Sequence, residues 1–386
     1  MSDYLDYLDW RGDLTFDNAP LNEVDNYILC KVGCPDYSGI VPENGEVLMS
    51  DAIWQYMQSL GDDEPETALG PLSSDYLIQV LYRLPHTQRF GKLKICDYVN
   101  KIDMVREEQF SALTVLLPDG TRFVTFRGTG DTIVSWKEDF LLSVEDMVPA
   151  QKDAAAYLWN ESKKSTGPLI VGGHSKGGNL AVYAAMKMPP EVQDRIVAIY
   201  NNDGPGFRRD VSQTAEYLRL KPRLHTIVSQ HTVIGRLLYH EEDCEIVKAG
   251  EFGVVNAHDG FTWELHGPRF VRCDGYSLTS KAFDTAINGT LNSMDLEQRK
   301  EFVEEFFSVL TSSGAETLSD LTEHKLRQAA ELAVGMRESP AVRKFLLSLS
   351  SLFIQETVAG TRMAIPKPRF SFGRDKTPKE QEPEED

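Results

Sequence analysis

Short apolar runs alternate with longer amphipathic ones through the middle of the chain, and a change of period near Lys92 marks where this begins. KLKICDYVNKID, FSALTVLL and RFVTFRG are strand-like, and PDGT between the last two places Asp-Gly at the centre of a hairpin turn. DTIVSWKEDFLLS follows with helical spacing at Ile133, Trp136 and Phe140, and AQKDAAAYLWNESKK predicts a stronger helix. PLIVGG, RIVAIYNN and LHTIVSQ then read as apolar strands, separated by helices starting at Lys176 and around QTAEYLRL. Strands apolar on both faces, alternating with helices, predict a mostly parallel sheet covered on both sides: an α/β fold.

The flanks follow other patterns. DAIWQYMQSLG and SDYLIQVLYRL predict short helices, each opened by a capping Asp or Ser, while MSDYLDYLDWRGDLTF is aromatic and acidic without a clear period. Beyond Lys281 the pattern is wholly helical. One helix carries Leu296, Val303, Phe306, Phe307 and Leu310 on one side, and another opens at Ser339-Pro340 with Val342, Phe345, Leu346, Leu349 and Phe353 as its stripe. Such stripes have to dock on the sheet or on one another. The expected organisation is a mixed segment over 1–90 packed on the core, an α/β core over 91–280, added C-terminal helices over 281–365, and a disordered, charged tail over 366–386.

Composition narrows the partners. The chain has 386 residues, 41% of them hydrophobic, and a formal net charge of −19. That charge repels phosphate backbones, so no nucleic-acid partner is expected. No basic start leads into an apolar run and no stretch of about 18 apolar residues occurs, so the expected location is cytoplasmic. The five scattered cysteines then read as reduced thiols, and Cys30-x-x-x-Cys34 lacks the second pair of a zinc site, so no metal is expected.

The candidate chemistry lies in LIVGGHSKGGNLAVYAAMKM. Gly173-His174-Ser175-Lys176-Gly177 matches Gly-x-Ser-x-Gly at a strand-to-helix junction, the context in which such a serine stands on a tight turn with its hydroxyl exposed. The glycines admit backbone that passes close by, and the free amides of the following helix favour negative charge. A phosphate-cradling turn would need Walker or Gly-x-Gly-x-x-Gly spacing, and neither is present. Acyl transfer also needs an oxyanion hole. The backbone N–H of Lys176 is one candidate donor, and the loop Gly128-Thr129-Gly130 offers the other, Thr129 through its N–H and its hydroxyl.

FRGTGDTIVSWKEDF together with VGGHSKGGNLAVYAA resembles the class 3 lipase branch of the α/β-hydrolases. LDWRGDLTF, NNDGPGF and HDGFTW extend the likeness to an uncharacterised bacterial family of lipase-like hydrolases, over about Tyr4 to Phe353. The resemblance implies an α/β-hydrolase fold, a Ser-acid-His triad and an esterase-like activity on a small-molecule or lipid acyl substrate, with no cofactor. His258 in VVNAHDGFTW follows a strand-like run in the right chain order and matches the position the resemblance gives. His174, inside the turn, is expected to point away from the pocket. For the acid, class 3 lipases use the residue after the strand read as LHTIVSQ, but His231, Thr232 and Val233 stand there. Asp203, one strand earlier in IYNNDGPGF, is the favoured candidate, with Asp243 and Glu242 behind it. Asp259 adjoins His258, where neighbouring side chains diverge, and is set aside. The vacancy after LHTIVSQ leaves an alternative: a catalytically inactive hydrolase fold serving as a binding or scaffold protein.

Overall fold

Among the described residues, eight strands lie side by side in chain order in one sheet, and Leu265–His266 pairs with Arg269–Phe270 in a separate two-stranded one. The computed structural model describes residues 3–60, 75–240, 243–250, 253–311, 316–317 and 342–343. The first ninety residues supply helices α1 (Tyr4–Arg11), α2 (Glu23–Val32), α3 (Met49–Ser59) and α4 (Asp75–Arg83), and the short edge strand β1 (Glu46–Leu48). A meander follows: β2 (Lys94–Asp103), β3 (Glu108–Leu116) and β4 (Arg122–Phe126). Its second turn passes through Gly120 at φ +84, as an Asp-Gly hairpin requires. Helices α5 (Ile133–Leu141) and α6 (Pro149–Lys164) lead into β5 (Leu169–His174), α7 (Lys176–Met186), α8 (Pro190–Gln193), β6 (Ile196–Asn202), α9 (Ala215–Leu220), β7 (Leu224–Ser229) and β8 (Cys244–Val247). Pairing is antiparallel from β1 to β4 and parallel from β4 to β8. The predicted α/β class is therefore what the chain adopts.

Alternation along the strands divides the core. Leu113, Val115, Phe123 and Ile170 join the first-ninety helices in one apolar cluster. Ala112, Val124, Leu169 and Val171, one residue out of phase, join α6 and α7 in another. Because successive side chains point to opposite faces, the sheet has α2 on one side and α6 and α7 on the other. Among the described residues, no helix is long and apolar enough to cross a membrane.

Several elements differ from the pattern reading. The aperiodic start is helix α1, closed by an Asp3 capping box, with Tyr4, Tyr7 and Leu8 buried at helical spacing. Helix α2 is buried from Val24 to Val32 and so presents no polar stripe to betray it. Helix α3 starts at Met49, two residues before the expected Asp51 cap, and its N-cap Leu48 makes no side-chain bond. The strand-like run before His258 is helix α10 (Gly253–His258). Two helices follow, α11 (Leu278–Asn292) and α12 (Leu296–Thr311). The α12 stripe docks as required: Val303, Phe306 and Phe307 pack with Ile133, Trp136 and Phe140 of α5. Leu296 of the stripe is left partly open, 39% exposed. The helix expected from Ser339, apart from Val342 and Arg343, and the tail from Pro366 lie outside the described residues.

One buried ion pair fastens the N-terminal segment. Arg89 and Asp25 are both without exposed side-chain surface, with Arg89 Nε donating to Asp25 Oδ1 at 2.8 Å. The same guanidinium donates to the carbonyls of Leu14, Ala19 and Pro20. Removing one partner of such a pair strands the other charge. Arg89→Met is therefore expected to lower unfolding stability by about 3–5 kcal/mol in urea titrations, and Arg89→Met/Asp25→Leu to recover most of it. A double variant as unstable as the single one would mean that the carbonyl contacts, not the charge pair, dominate.

Candidate active site

Strand β5 runs at the centre of the sheet, its six residues buried, between parallel neighbours β4 and β6. It ends in a turn where Ser175 adopts φ 58 and ψ −134 as the N-cap of α7. A non-glycine residue there carries strain on the order of 1–3 kcal/mol and persists only if its surroundings over-determine it. They do. Ser175 N–H donates to Asn202 O at 3.0 Å, and Gly178 N–H donates to Ser175 O at 2.8 Å. A Cβ on Gly173 would meet the carbonyl carbon of Gly177 at 2.2 Å, and one on Gly177 would meet Phe126 O at 2.1 Å, so only glycine fits either place. A Cβ on Gly128 would lie 2.6 Å from His174 O and 3.1 Å from the Ser175 Cβ, which puts the Gly128–Gly130 loop directly against the serine turn.

Strand β6 ends in a second strained turn. Asp203 has φ 53, no exposed surface, and an N–H that donates to Ile227 O at 2.8 Å. Asn201 and Asn202 brace the place: Gly204 N–H donates to Asn201 Oδ1 at 2.9 Å, and Asn202 Nδ2 donates to Gly173 O at 3.0 Å. Asp203 Oδ2 lies 2.7 Å from Nδ1 of His258. A carboxylate facing Nδ1 places the proton on that nitrogen and leaves Nε2 with its lone pair. Of the other acid candidates, Asp243 is exposed and Glu242 lies outside the described residues.

The histidine is held from the N-terminal segment. Tyr27 Oη donates to Asp259 Oδ1 at 3.0 Å and accepts from Gly260 N–H at 2.7 Å, while Tyr4 Oη donates to Gly260 O at 2.9 Å. Trp263 Nε1 donates to Ala257 O at 3.0 Å. These bonds give Asp259 a purpose of its own: it caps the turn after His258. His174 adds a contact that the sequence reading missed. Instead of pointing away, it lines the same cleft as Ser175 and His258, its ring centroid 4.5 Å from that of His258. Its Nε2 lies 2.7 Å from His258 O, and a carbonyl only accepts, so the proton is on Nε2. Burial, reinforced by His258 and Lys31, pushes His174 well below the usual imidazole range and keeps it neutral.

The two expected oxyanion residues are placed differently from one another. Lys176 opens α7, where first-turn amides lack an intrahelical acceptor. Its side chain is fully buried and donates to Glu138 Oε2 at 2.8 Å and Gln109 O at 2.9 Å. Glu138 also accepts from Ala150 N–H and Gln109 N–H, so the pair is satisfied on every side. Thr129 lines the cleft, but its hydroxyl donates to Asp139 Oδ2 at 2.5 Å. The hydroxyl expected to face an oxyanion is engaged with Asp139 behind the loop, while the Thr129 amide belongs to the loop that lines the cleft. Burial pushes the Asp139 carboxyl up to about 6, against the pull of Lys176 and the Thr129 hydroxyl.

The cleft measures about 240 Å³ and runs from Ser175 and His258 between the end of α2 and the Gly128–Thr132 loop. The family model described as Mbeg1-like matches residues 84–308, more than half of the chain, a span that includes Thr129, Ser175, Asp203 and His258. No curated protein matches the chain.

The raised Asp139 carboxyl gives stability a pH signature. Between its ordinary value near 4 and its folded value of about 6, the native state binds the extra proton, so this contribution is full at low pH and is lost as pH rises through 6. Asp139→Asn removes it. The stability of the variant relative to wild type is therefore expected to rise by about 1–3 kcal/mol from pH 4 to pH 7 in urea titrations. A difference independent of pH would mean that Asp139 ionises as freely folded as unfolded.

Proposed function

The chain belongs to the Mbeg1-like family, a lipase-like one, and from that premise we propose that it is a serine hydrolase cleaving an ester or related acyl bond. Ser175 Oγ attacks the acyl carbon while His258 Nε2 takes the hydroxyl proton. The same proton passes to the leaving alcohol as the tetrahedral intermediate collapses to an acyl-enzyme, and water, activated by His258, then releases the acid. Asp203 holds the imidazole with Nε2 unprotonated and stabilises the imidazolium. The backbone amides of Thr129 and Lys176 receive the oxyanion, and the Thr129 hydroxyl positions its loop through Asp139.

The observation that carries this reading is the 2.7 Å contact between His258 Nδ1 and Asp203 Oδ2, on the rim where Ser175 and His258 share a cleft. The strain held at both Ser175 and Asp203 supports it, since such strain gathers at functional turns. The alternative of a catalytically silent scaffold drew on the missing carboxylate after β7, and it loses that ground once Asp203 reaches His258 from β6.

A fluorophosphonate probe, which needs an activated serine, is expected to label Ser175, and Ser175→Ala to abolish labelling and ester turnover. Asp203→Asn keeps the shape and removes the charge, so turnover is expected to drop on the order of 10³- to 10⁴-fold with near-normal melting. If Asp203 only shapes its turn, the same variant stays active and loses about 1 kcal/mol of stability instead. Esters hydrolysed equally by wild type and Ser175→Ala would sink the hydrolase reading.

A further inference from the structure

Four cationic side chains are buried in the described structure: Lys31, Arg89, Arg122 and Lys176. Three are matched by carboxylates, Arg89 by Asp25, Arg122 by Glu161 and Lys176 by Glu138. Lys31 is the exception. It is 3% exposed, in the last turn of α2, and among the described residues no carboxylate stands within ion-pair distance. Its ammonium lies 6.0 Å from the Tyr27 ring centroid and 5.7 Å from that of Phe261, contacts that offset only part of the cost of burying a charge. It lines the cleft that holds Ser175 and His258.

Arg127 lines the same cleft, and among the described residues no carboxylate is bonded to it, though Asp36 is near enough to feel its charge. It donates to Asn100 Oδ1 at 2.8 Å and Cys34 O at 3.5 Å, both neutral acceptors, and its buried Nε–H has no partner among the described residues. Asp36 and Asp131 also line the cleft, but Asp36 Oδ1 already accepts from Ser38 N–H, Ser38 Oγ and Tyr98 Oη. Among the described residues of the lining, Ile102 is the one large aliphatic side chain. An anion entering there would meet two cations, Lys31 and Arg127, with the carboxylates of Asp36 and Asp131 also on the lining.

We infer that the cleft selects an ester carrying a negatively charged group, seated on Lys31 with Arg127 beside it. This deepens the hydrolase reading and rests on it for the reaction, though not for the binding. An anionic substituent a few bonds from the acyl carbon pairs with the Lys31 ammonium while Ser175 meets the carbonyl. Carboxylate and phosphate share this chemistry.

The test compares the mono-4-nitrophenyl ester of glutaric acid with neutral 4-nitrophenyl pentanoate. Wild type is expected to favour the charged ester at least about 10-fold in kcat/KM, mainly through KM. Lys31→Met should bring that ratio to within about threefold of one, and Lys31→Arg should keep most of it. Arg127→Gln, a second variant on a separate element, should lower it partway. Competition by glutarate or by inorganic phosphate tells which anion is preferred. A wild-type ratio near one, or a ratio unchanged in both Lys31→Met and Arg127→Gln, overturns the inference and leaves the hydrolase standing. If no ester is turned over, calorimetry decides separately. Glutarate or phosphate binding that is lost in Lys31→Met keeps the anion site while the hydrolase reading falls, and no binding of either overturns the anion site too.

Discussion

Backbone pressed against backbone at the C-terminal rim of the sheet is the constraint on which the rest depends. Gly173, Gly177 and Gly128 each sit where a single Cβ would collide with a neighbouring main chain. Their smallness lets β5 turn into α7 within one residue, lets that helix approach the end of β4, and lets the loop after β4 lie on the turn. The conformational strain at Ser175 is a product of this crowding, and it is offset locally. Asn202 lends its carbonyl to the Ser175 amide and its side chain to Gly173. Each such bond is worth about 0.5–1.5 kcal/mol, so a few of them balance a strain of the same order.

Behind the rim, one helix does two jobs with adjacent residues. Glu138 of α5 holds the Lys176 ammonium, and Asp139 holds the Thr129 hydroxyl. The serine turn and the neighbouring loop are thus tied to a common support. The opposite side of that support is apolar: Phe140 stacks on Phe306 of α12 at 5.2 Å. A helix far along the chain therefore steadies the loop without touching the cleft, through a packed element rather than a polar relay.

Much of this was legible in the sequence because the middle of the chain obeys simple rules. A parallel sheet covered on both faces needs unbroken apolar runs, and PLIVGG and RIVAIYNN are such runs. The turn at Ser175 carries its own signature in glycine. Asp203 could be singled out as a carboxylate at a strand end, though only the fold brings it to His258. What stayed hidden did so for physical reasons. Helix α2 is buried all round, so periodicity is mute there. Helix α1 buries tyrosines whose hydroxyls bond distant partners, which reads as noise in a hydropathy pattern. VVNAH is β-branched and apolar enough to read as a strand, yet it forms one short helix. The engagement of the Thr129 hydroxyl by Asp139, ten residues on, follows from the way α5 folds back beneath its own loop.

The tyrosine clamp has a consequence for how the molecule comes into being. Tyr4 and Gly260 are 256 positions apart, and Tyr27 and Asp259 are 232 apart. During synthesis the N-terminal aromatic residues leave the ribosome early and wait, without their partners, until roughly two thirds of the polypeptide has been made. The serine turn emerges well before the imidazole that stands next to it in the finished molecule, and that imidazole is fixed only when the two distant stretches meet. The rim therefore depends on contacts of long sequence separation, which close only once both stretches are present.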